Sequence, residues 1–262
     1  MKKLVLLSAA VLAVAACSEA TAPEASLDAR YAKPAPPPGP TVNGNLTNDT
    51  FAFEDGSISG AAGTSWALDD LDDGGFSAAA PNIANAWNNS TRFLGRADNH
   101  ALFLIVPNGG SKWSINFDLY IIGSWDGQGQ QAQHGVFGQD IWNLSIRCSV
   151  NAAAAAVLLE TDFSNQETVQ QSYPGWATQK GGKKAVSESY GKDLLGFRDD
   201  PSVNTPLFRS YGDIEYNMSF SGDNPCGAGA PMVFAFTVPD AGLQSNFDES
   251  WGVDNLVIKT DL

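Results

Sequence analysis

An all-β fold, a single jelly-roll-like antiparallel β-sandwich behind a leader and a Pro-rich tether, is what three features of this 262-residue chain predict. First, apolar and polar residues alternate over two long runs. Trp113, Ile115, Phe117, Leu119 and Ile121 interleave with Ser114, Asn116, Asp118 and Tyr120. Trp142, Leu144, Ile146, Cys148 and Val150 interleave with Asn143, Ser145, Arg147 and Ser149. Period two is the signature of a half-buried strand. Second, turn-forming clusters punctuate the apolar runs: Asp72-Asp73-Gly74-Gly75, Asn108-Gly109-Gly110 and Gly222-Asp223-Asn224-Pro225. Third, no segment beyond residue 17 carries a convincing helical period. Many short strands joined by Gly-rich turns suit a sandwich. The length suits one large all-β domain or two small ones, and no internal repeat or second low-complexity break divides the body.

In chain order, residues 1–17 read MKKLVLLSAAVLAVAAC. Lys2 and Lys3 precede a 13-residue apolar run, Leu4 to Ala16. The run is shorter than the roughly 20 residues a spanning helix needs, and it suits the apolar core of a signal peptide. It ends Val14-Ala15-Ala16-Cys17, which resembles the lipobox of bacterial lipoproteins. The resemblance implies that residues 1–16 are removed and that Cys17 is lipidated as the mature N-terminus. Residue 18 is Ser, not the Asp that retains such proteins at the inner membrane. The implied location is therefore the bacterial outer membrane, on either side of it, with lipid as the anchor. Residues 17–40 hold six prolines and one aromatic residue, and read as a semi-rigid spacer. At about 3.1 Å per residue it would reach roughly 70 Å. The body is 41–262. Besides the two alternating runs, strands are expected at 91–96, 101–106, 157–163, 213–220, 232–238 and 251–259. Residues 151–156, an Ala run, read as one helical turn or a loop.

Charge bounds the partners. Lys plus Arg is 15 and Asp plus Glu is 29, for a net −14. Phosphate binding needs clustered cations, so a nucleic-acid partner is excluded. Two lysines leave with the signal peptide, and the acidic body is expected to stand off anionic lipid. With Cys17 taken by lipid, Cys148 and Cys226 remain as a pair, and an exported chain is expected to join them in a disulfide. Two buried thiols are the alternative.

Two further resemblances concern the body. Phe51-Ala52-Phe53-Glu54-Asp55-Gly56 near its start and Trp251-Gly252-Val253-Asp254-Asn255-Leu256 near its end resemble the first and last strands of carbohydrate-binding-module-like and lectin-like jelly rolls. That resemblance implies a structural calcium held by Glu54 and Asp254. A longer similarity runs through residues 117–127, 138–142, 158–165, 170–174 and 248–252, and resembles a group of secreted bacterial proteins of unassigned activity. It implies a shared sandwich and brings no catalytic residues.

Enzyme readings find little support. His100 and His134 are the only histidines, and no H-x-x-x-H, C-x-x-C, G-x-S-x-G or phosphate loop occurs. Asp69 to Gly74 has the carboxylate density of a calcium loop without the EF-hand layout, and reads as a solvated turn. Sugar binding needs aromatic faces beside hydrogen-bonding side chains. The segment 124–142 offers Trp125, Asp126, Gln128, Gln130, Gln131, Gln133 and His134, and the segment 170–179 offers Tyr173 and Trp176. Trp125, Asp126, Tyr173 and Trp176 are the candidate carbohydrate-binding residues; the alternative has Trp125 and Trp176 folded back as loop anchors. Trp66, Trp113, Trp142 and Trp251 read as core. Asp118 and Asp126 could bind metal or sugar, but read more simply as an outward strand residue and an Asp-Gly turn. The expected function is non-catalytic binding of carbohydrate or another cell-surface polymer. The rival is a structural or adhesive envelope protein without a small-ligand site, and a polysaccharide-active enzyme comes third.

Overall fold

A computed structural model describes residues 46–70, 75–79, 81–86, 88–128, 139–167, 169–178, 182–199, 211–238, 243 and 248–261. The leader, Cys17, the tether, residues 71–74 and Gln130, Gln131, Gln133 and His134 lie outside these.

Fifteen strands are described: β1 (Leu46–Phe51), β2 (Ser65–Asp70), β3 (Gly75–Ala79), β4 (Ile83–Asn85), β5 (Arg92–Ala97), β6 (His100–Val106), β7 (Lys112–Gly123), β8 (Ile141–Arg147), β9 (Ala154–Asp162), β10 (Gln170–Gln171), β11 (Lys183–Lys184), β12 (Gly191–Lys192), β13 (Asp213–Asp223), β14 (Met232–Thr237) and β15 (Glu249–Asp261). One 3₁₀ turn, Phe197–Asp199, is the only helical element among the described residues. The first sheet runs β12-β13-β7-β15-β5-β4, with β1 also on β15; the second runs β3-β2-β6-β14-β8-β9. Every described pairing is antiparallel. The chain changes sheet at β1–β2, β3–β4, β5–β6, β6–β7, β7–β8, β13–β14 and β14–β15. Such repeated crossing is the jelly-roll way of closing a sandwich.

Aromatic rings from both sheets hold the sandwich together. Phe236 of β14 meets Phe117 of β7 at 5.3 Å, Trp66 of β2 at 5.4 Å and Trp142 of β8 at 6.2 Å between centroids. Trp113 meets Phe234 at 5.2 Å, and Trp142 meets Trp251 at 6.2 Å. The four tryptophans read as core are all buried. The period-two residues supply this directly, because alternate side chains of each strand face the same layer.

Three expectations change. The even-numbered face of β7 is not open to solvent along its length. Tyr120 and Ile122 are covered by Phe93, Leu195 and Phe197. The buried Asp213 carboxylate fastens that cover, accepting the N–H groups of Leu195 (2.9 Å) and Phe197 (3.3 Å). Asp118, expected to point outward, is buried for a related reason: its two oxygens accept Nδ2–H from Asn217 (2.6 Å) and Asn255 (2.8 Å). The Ala run forms no helical turn; its last residues open β9.

Cys148, just after β8, and Cys226, between β13 and β14, form the expected disulfide across 78 residues. It ties two neighbouring parts of the second sheet, since β8 and β14 pair directly. Replacing both cysteines with Ala is expected to lower unfolding free energy by about 2–4 kcal/mol, as loss of a closed loop of this size does. Denaturant titration checks it, with a steeper slope expected because the unfolded chain loses its cross-link; no loss would mean the sheet alone holds the β13–β14 turn.

Candidate functional site

At the end of β7 the backbone makes an approach that a side chain would forbid. Gly123 has φ +91°, and a Cβ there would lie 1.6 Å from the Asp248 carbonyl oxygen. Ser124 N–H donates to that carbonyl at 3.0 Å, and the next two residues turn inward. Trp125 is fully buried. Its indole N–H donates to the Ser250 carbonyl (3.1 Å), and its ring meets Phe163 edge-on. The exposed platform expected at Trp125 is therefore corrected: a loop Trp beside a strand end finds both an apolar niche and an acceptor.

Asp126 follows it inside. Its N–H donates to Asp140 Oδ2 at 2.6 Å, and its own Oδ1 accepts from Gln166 Nε2. Asp140 immediately precedes β8, and Glu249 opens β15. Carboxylate oxygens of Asp126, Asp140 and Glu249 lie within 4.8 Å of one another, and all three residues are buried. Burial pushes the Asp140 carboxyl up to about 8, and the negative charges of Asp126, Asp248 and Asp162 push the same way. The Asp126 N–H pulls against them. Asp248, whose Oδ1 accepts the Ser124 hydroxyl, is also raised by burial. The donor set is all oxygen, without imidazole or thiolate, which is the chemistry a hard divalent cation such as calcium takes. A glycosidase instead spaces two carboxyl groups about 5–10 Å apart around open substrate space. Sequence reasoning named Asp126 alone of these three. Asp140 and Glu249 come from segments that converge only in the fold.

Beside this cluster lies the loop after β10. Trp176 is 41% exposed, and Val157 is the other large hydrophobic residue standing open among those described. The loop under Trp176 is pinned to β9. Thr161 Oγ1 donates to the Gly175 carbonyl (2.8 Å), and Ala177 N–H donates to the Glu160 carbonyl (2.8 Å). Gln139 Nε2 donates to Asp162 Oδ2 (2.6 Å) and approaches the Ala177 carbonyl (3.4 Å). Tyr173 is half-buried, its ring engaged with Phe163 and Tyr216 at 5.1 and 5.0 Å. Of the four candidate sugar-contacting residues, only Trp176 presents an open face.

Glu54 and Asp254 are brought together at one hydroxyl. Thr91 Oγ1 contacts Glu54 Oε1 and lies 3.3 Å from Asp254 Oδ2. Glu54 Oε1 also accepts Arg92 N–H (3.1 Å), its carbonyl accepts the Arg92 guanidinium (3.1 Å), and Asp254 Oδ1 accepts Asn255 N–H (2.7 Å). N–H and O–H donors thus serve this pair, while the Asp126 cluster sets three carboxylates from separate segments within 4.8 Å of one another.

No protein-family model matches the chain, and no curated protein does. Among solved structures, the K3 cleaved adhesin domain of Lys-gingipain from Porphyromonas gingivalis is 14% identical, with 80% of this chain and 98% of that one covered and a TM-score of 0.39. The K2 cleaved adhesin domain of Lys-gingipain is also 14% identical, covering 81% and 97%, with a TM-score of 0.36. A family 35 carbohydrate-binding module from Clostridium thermocellum is 9% identical, covering 81% and 97%, with a TM-score of 0.32. At these scores the likeness says nothing of ligand or site.

The raised carboxyls make stability depend on pH in a definite direction. Burial pushes the Asp140 carboxyl up to about 8 in the folded chain, against an ordinary 3.8. Between those values the folded state holds a proton that the unfolded state has released, so its contribution is full below about pH 4 and lost as pH rises through 8. Asp213, raised by burial to about 6, and Asp162 and Asp248 act in the same direction. With chelator present, Tm is expected to fall from pH 4 to pH 8, and Asp140→Asn to flatten the fall. A Tm that climbs across this window would contradict the burial argument.

Proposed function

We propose that this chain is a non-catalytic binding domain for a cell-surface polymer, a neutral polysaccharide foremost. In this reading it is carried on a lipid anchor at Cys17 and a Pro-rich spacer, at the bacterial outer membrane. The observation that carries the binding role is Trp176: an open indole face on a loop fixed to the sheet by several hydrogen bonds. Sugars stack their C–H faces on such rings, and a loop held in one conformation loses little entropy on binding. A net charge of −14, with Glu160 beside the loop, favours an uncharged polymer over a polyanion.

Calcium is the proposed cofactor, with Asp126, Asp140 and Glu249 as its holders. A cation there would offset the mutual repulsion of carboxylates kept in low dielectric. Glu54 and Asp254 are the comparison pair.

Melts of residues 41–262 with calcium, with chelator and with neutral and acidic polysaccharides test both parts. A ligand at a hundred times its dissociation constant adds about 2.7 kcal/mol. Calcium is expected to raise Tm in the parent and in Glu54→Gln, but not in Asp140→Asn. One neutral glycan is expected to raise it further, and Trp176→Ala is expected to weaken that glycan at least ~10-fold, a hot-spot loss, with Tm unchanged. No response to any glycan would shift the reading to a structural envelope protein.

A further inference from the structure

We propose that Asp162 is the positioning residue of the Trp176 loop; this rests on the binding reading above only for its functional meaning, not for its geometry. Asp162 is the last residue of β9 and is fully buried. Its Oδ1 accepts Ser172 N–H (2.8 Å) and its Oδ2 accepts the Ser172 hydroxyl (2.7 Å). The same Oδ2 accepts Gln139 Nε2 (2.6 Å). Asp162 N–H donates to Ser172 Oγ (2.9 Å), and the Asp162 carbonyl accepts Tyr173 N–H (3.2 Å). One residue therefore grips the start of the loop through backbone and side chain together. Through Gln139 it also reaches the far end, since that amide approaches the Ala177 carbonyl. Trp176 sits between the two grips.

This arrangement is more than a strand needs to end. Removing one hydrogen bond partner in a buried network leaves the other unsatisfied, so such a network fixes a single conformation when complete. Ionised, the Asp162 carboxylate is acceptor-only and matches three donors. An amide at this place would turn one acceptor into a donor facing donors. Gln139 also precedes Asp140, so the buried carboxylate cluster and the loop share one stretch of chain.

Hydrogen exchange tests the proposal without knowledge of the ligand. In Asp162→Asn, amides of residues 172–177 are expected to exchange about tenfold faster, the effect of one lost buried hydrogen bond, while β8 and the first half of β9 keep their protection. Ser172→Ala removes the same link from the loop side and should do the same, and the double variant should exchange no faster than either single one. Acrylamide quenching of Trp176, taken as the difference from Trp176→Phe, should rise in both. Uniform loss of protection across β8 and β9, or unchanged exchange at 172–177, overturns the proposal. Trp176→Ala is expected to leave exchange as in the parent. If the exchange pattern holds and no polysaccharide binds, the positioning role stands and the binding reading fails; if polysaccharide binds and Asp162→Asn changes neither exchange nor affinity, the reverse holds.

Discussion

The pairing of β7 with β15 is the constraint on which the other parts rest. These two strands, of 12 and 13 residues, are the longest among the described residues and lie side by side in the middle of the first sheet. β15 also has to serve two partners on its other edge. Its first half pairs with β5 and its second half with β1, and the change comes where its register against β7 slips between Asp254 and Val257. Asn255 takes φ +48° there, and its side chain is held by the buried Asp118 of β7. A strand that switches partners accommodates the change in such a bulge, and the Asp254 carboxylate accepts the Asn255 N–H there (2.7 Å). The same pairing places Glu249 opposite Gly123, and so delivers one carboxylate of the cluster to the turn that delivers another.

Electrostatics at that end runs against stability. Carboxylates kept out of water repel one another and resist ionisation, and folding gains nothing from gathering them unless protons or a cation join them. The rest of the fold can bear that cost. Interleaved rings of Trp66, Phe117, Trp142, Phe234, Phe236 and Trp251 bury a large apolar area on both sheets. The disulfide adds to it at the opposite end of β8, away from Asp140. Strain of this kind at one end of a rigid scaffold is what functional sites commonly show.

The strands were legible because their evidence is local. Alternation in β7 and β8, and the apolar runs of β6 and β14, each announce a face without help from distant residues. The cover over Tyr120 and Ile122 was not, since Leu195 and Phe197 belong to a segment without period, fastened to the sheet by the Asp213 carboxylate and the short β12–β13 pairing. Trp125 and Trp176 show the same limit at the site. Both lie in loops flanked by polar residues, and composition cannot separate them. What separates them is the Gly123 turn, which swings Trp125 under the sheet edge, and the Asp162 grip, which holds Trp176 out. The carboxylate cluster is assembled from Asp126, Asp140 and Glu249, two of which are 14 residues apart and the third at the start of the last strand. Only the sandwich brings them together, so no spacing rule could reveal it.

The two features at this end share a physical logic. An exposed indole binds well only if it is held still, because a mobile loop would spend binding energy on its own ordering. Holding it needs buried polar anchors, and buried anchors here are carboxylates: Asp162 for the loop, Asp140 one residue from Gln139 for the cluster. Any change in the charge of the cluster therefore acts on the chain segment that also supports the Trp176 loop. Gln139 is the shared member, bonded to Asp162 on one side and bound by the backbone to Asp140 on the other. A cation that neutralised the cluster would fix the 139–140 segment, and with it the Gln139 amide that spans Asp162 and Ala177. Rigidity of the Trp176 loop and charge compensation of the buried acids are on this account one problem, met by the same few residues.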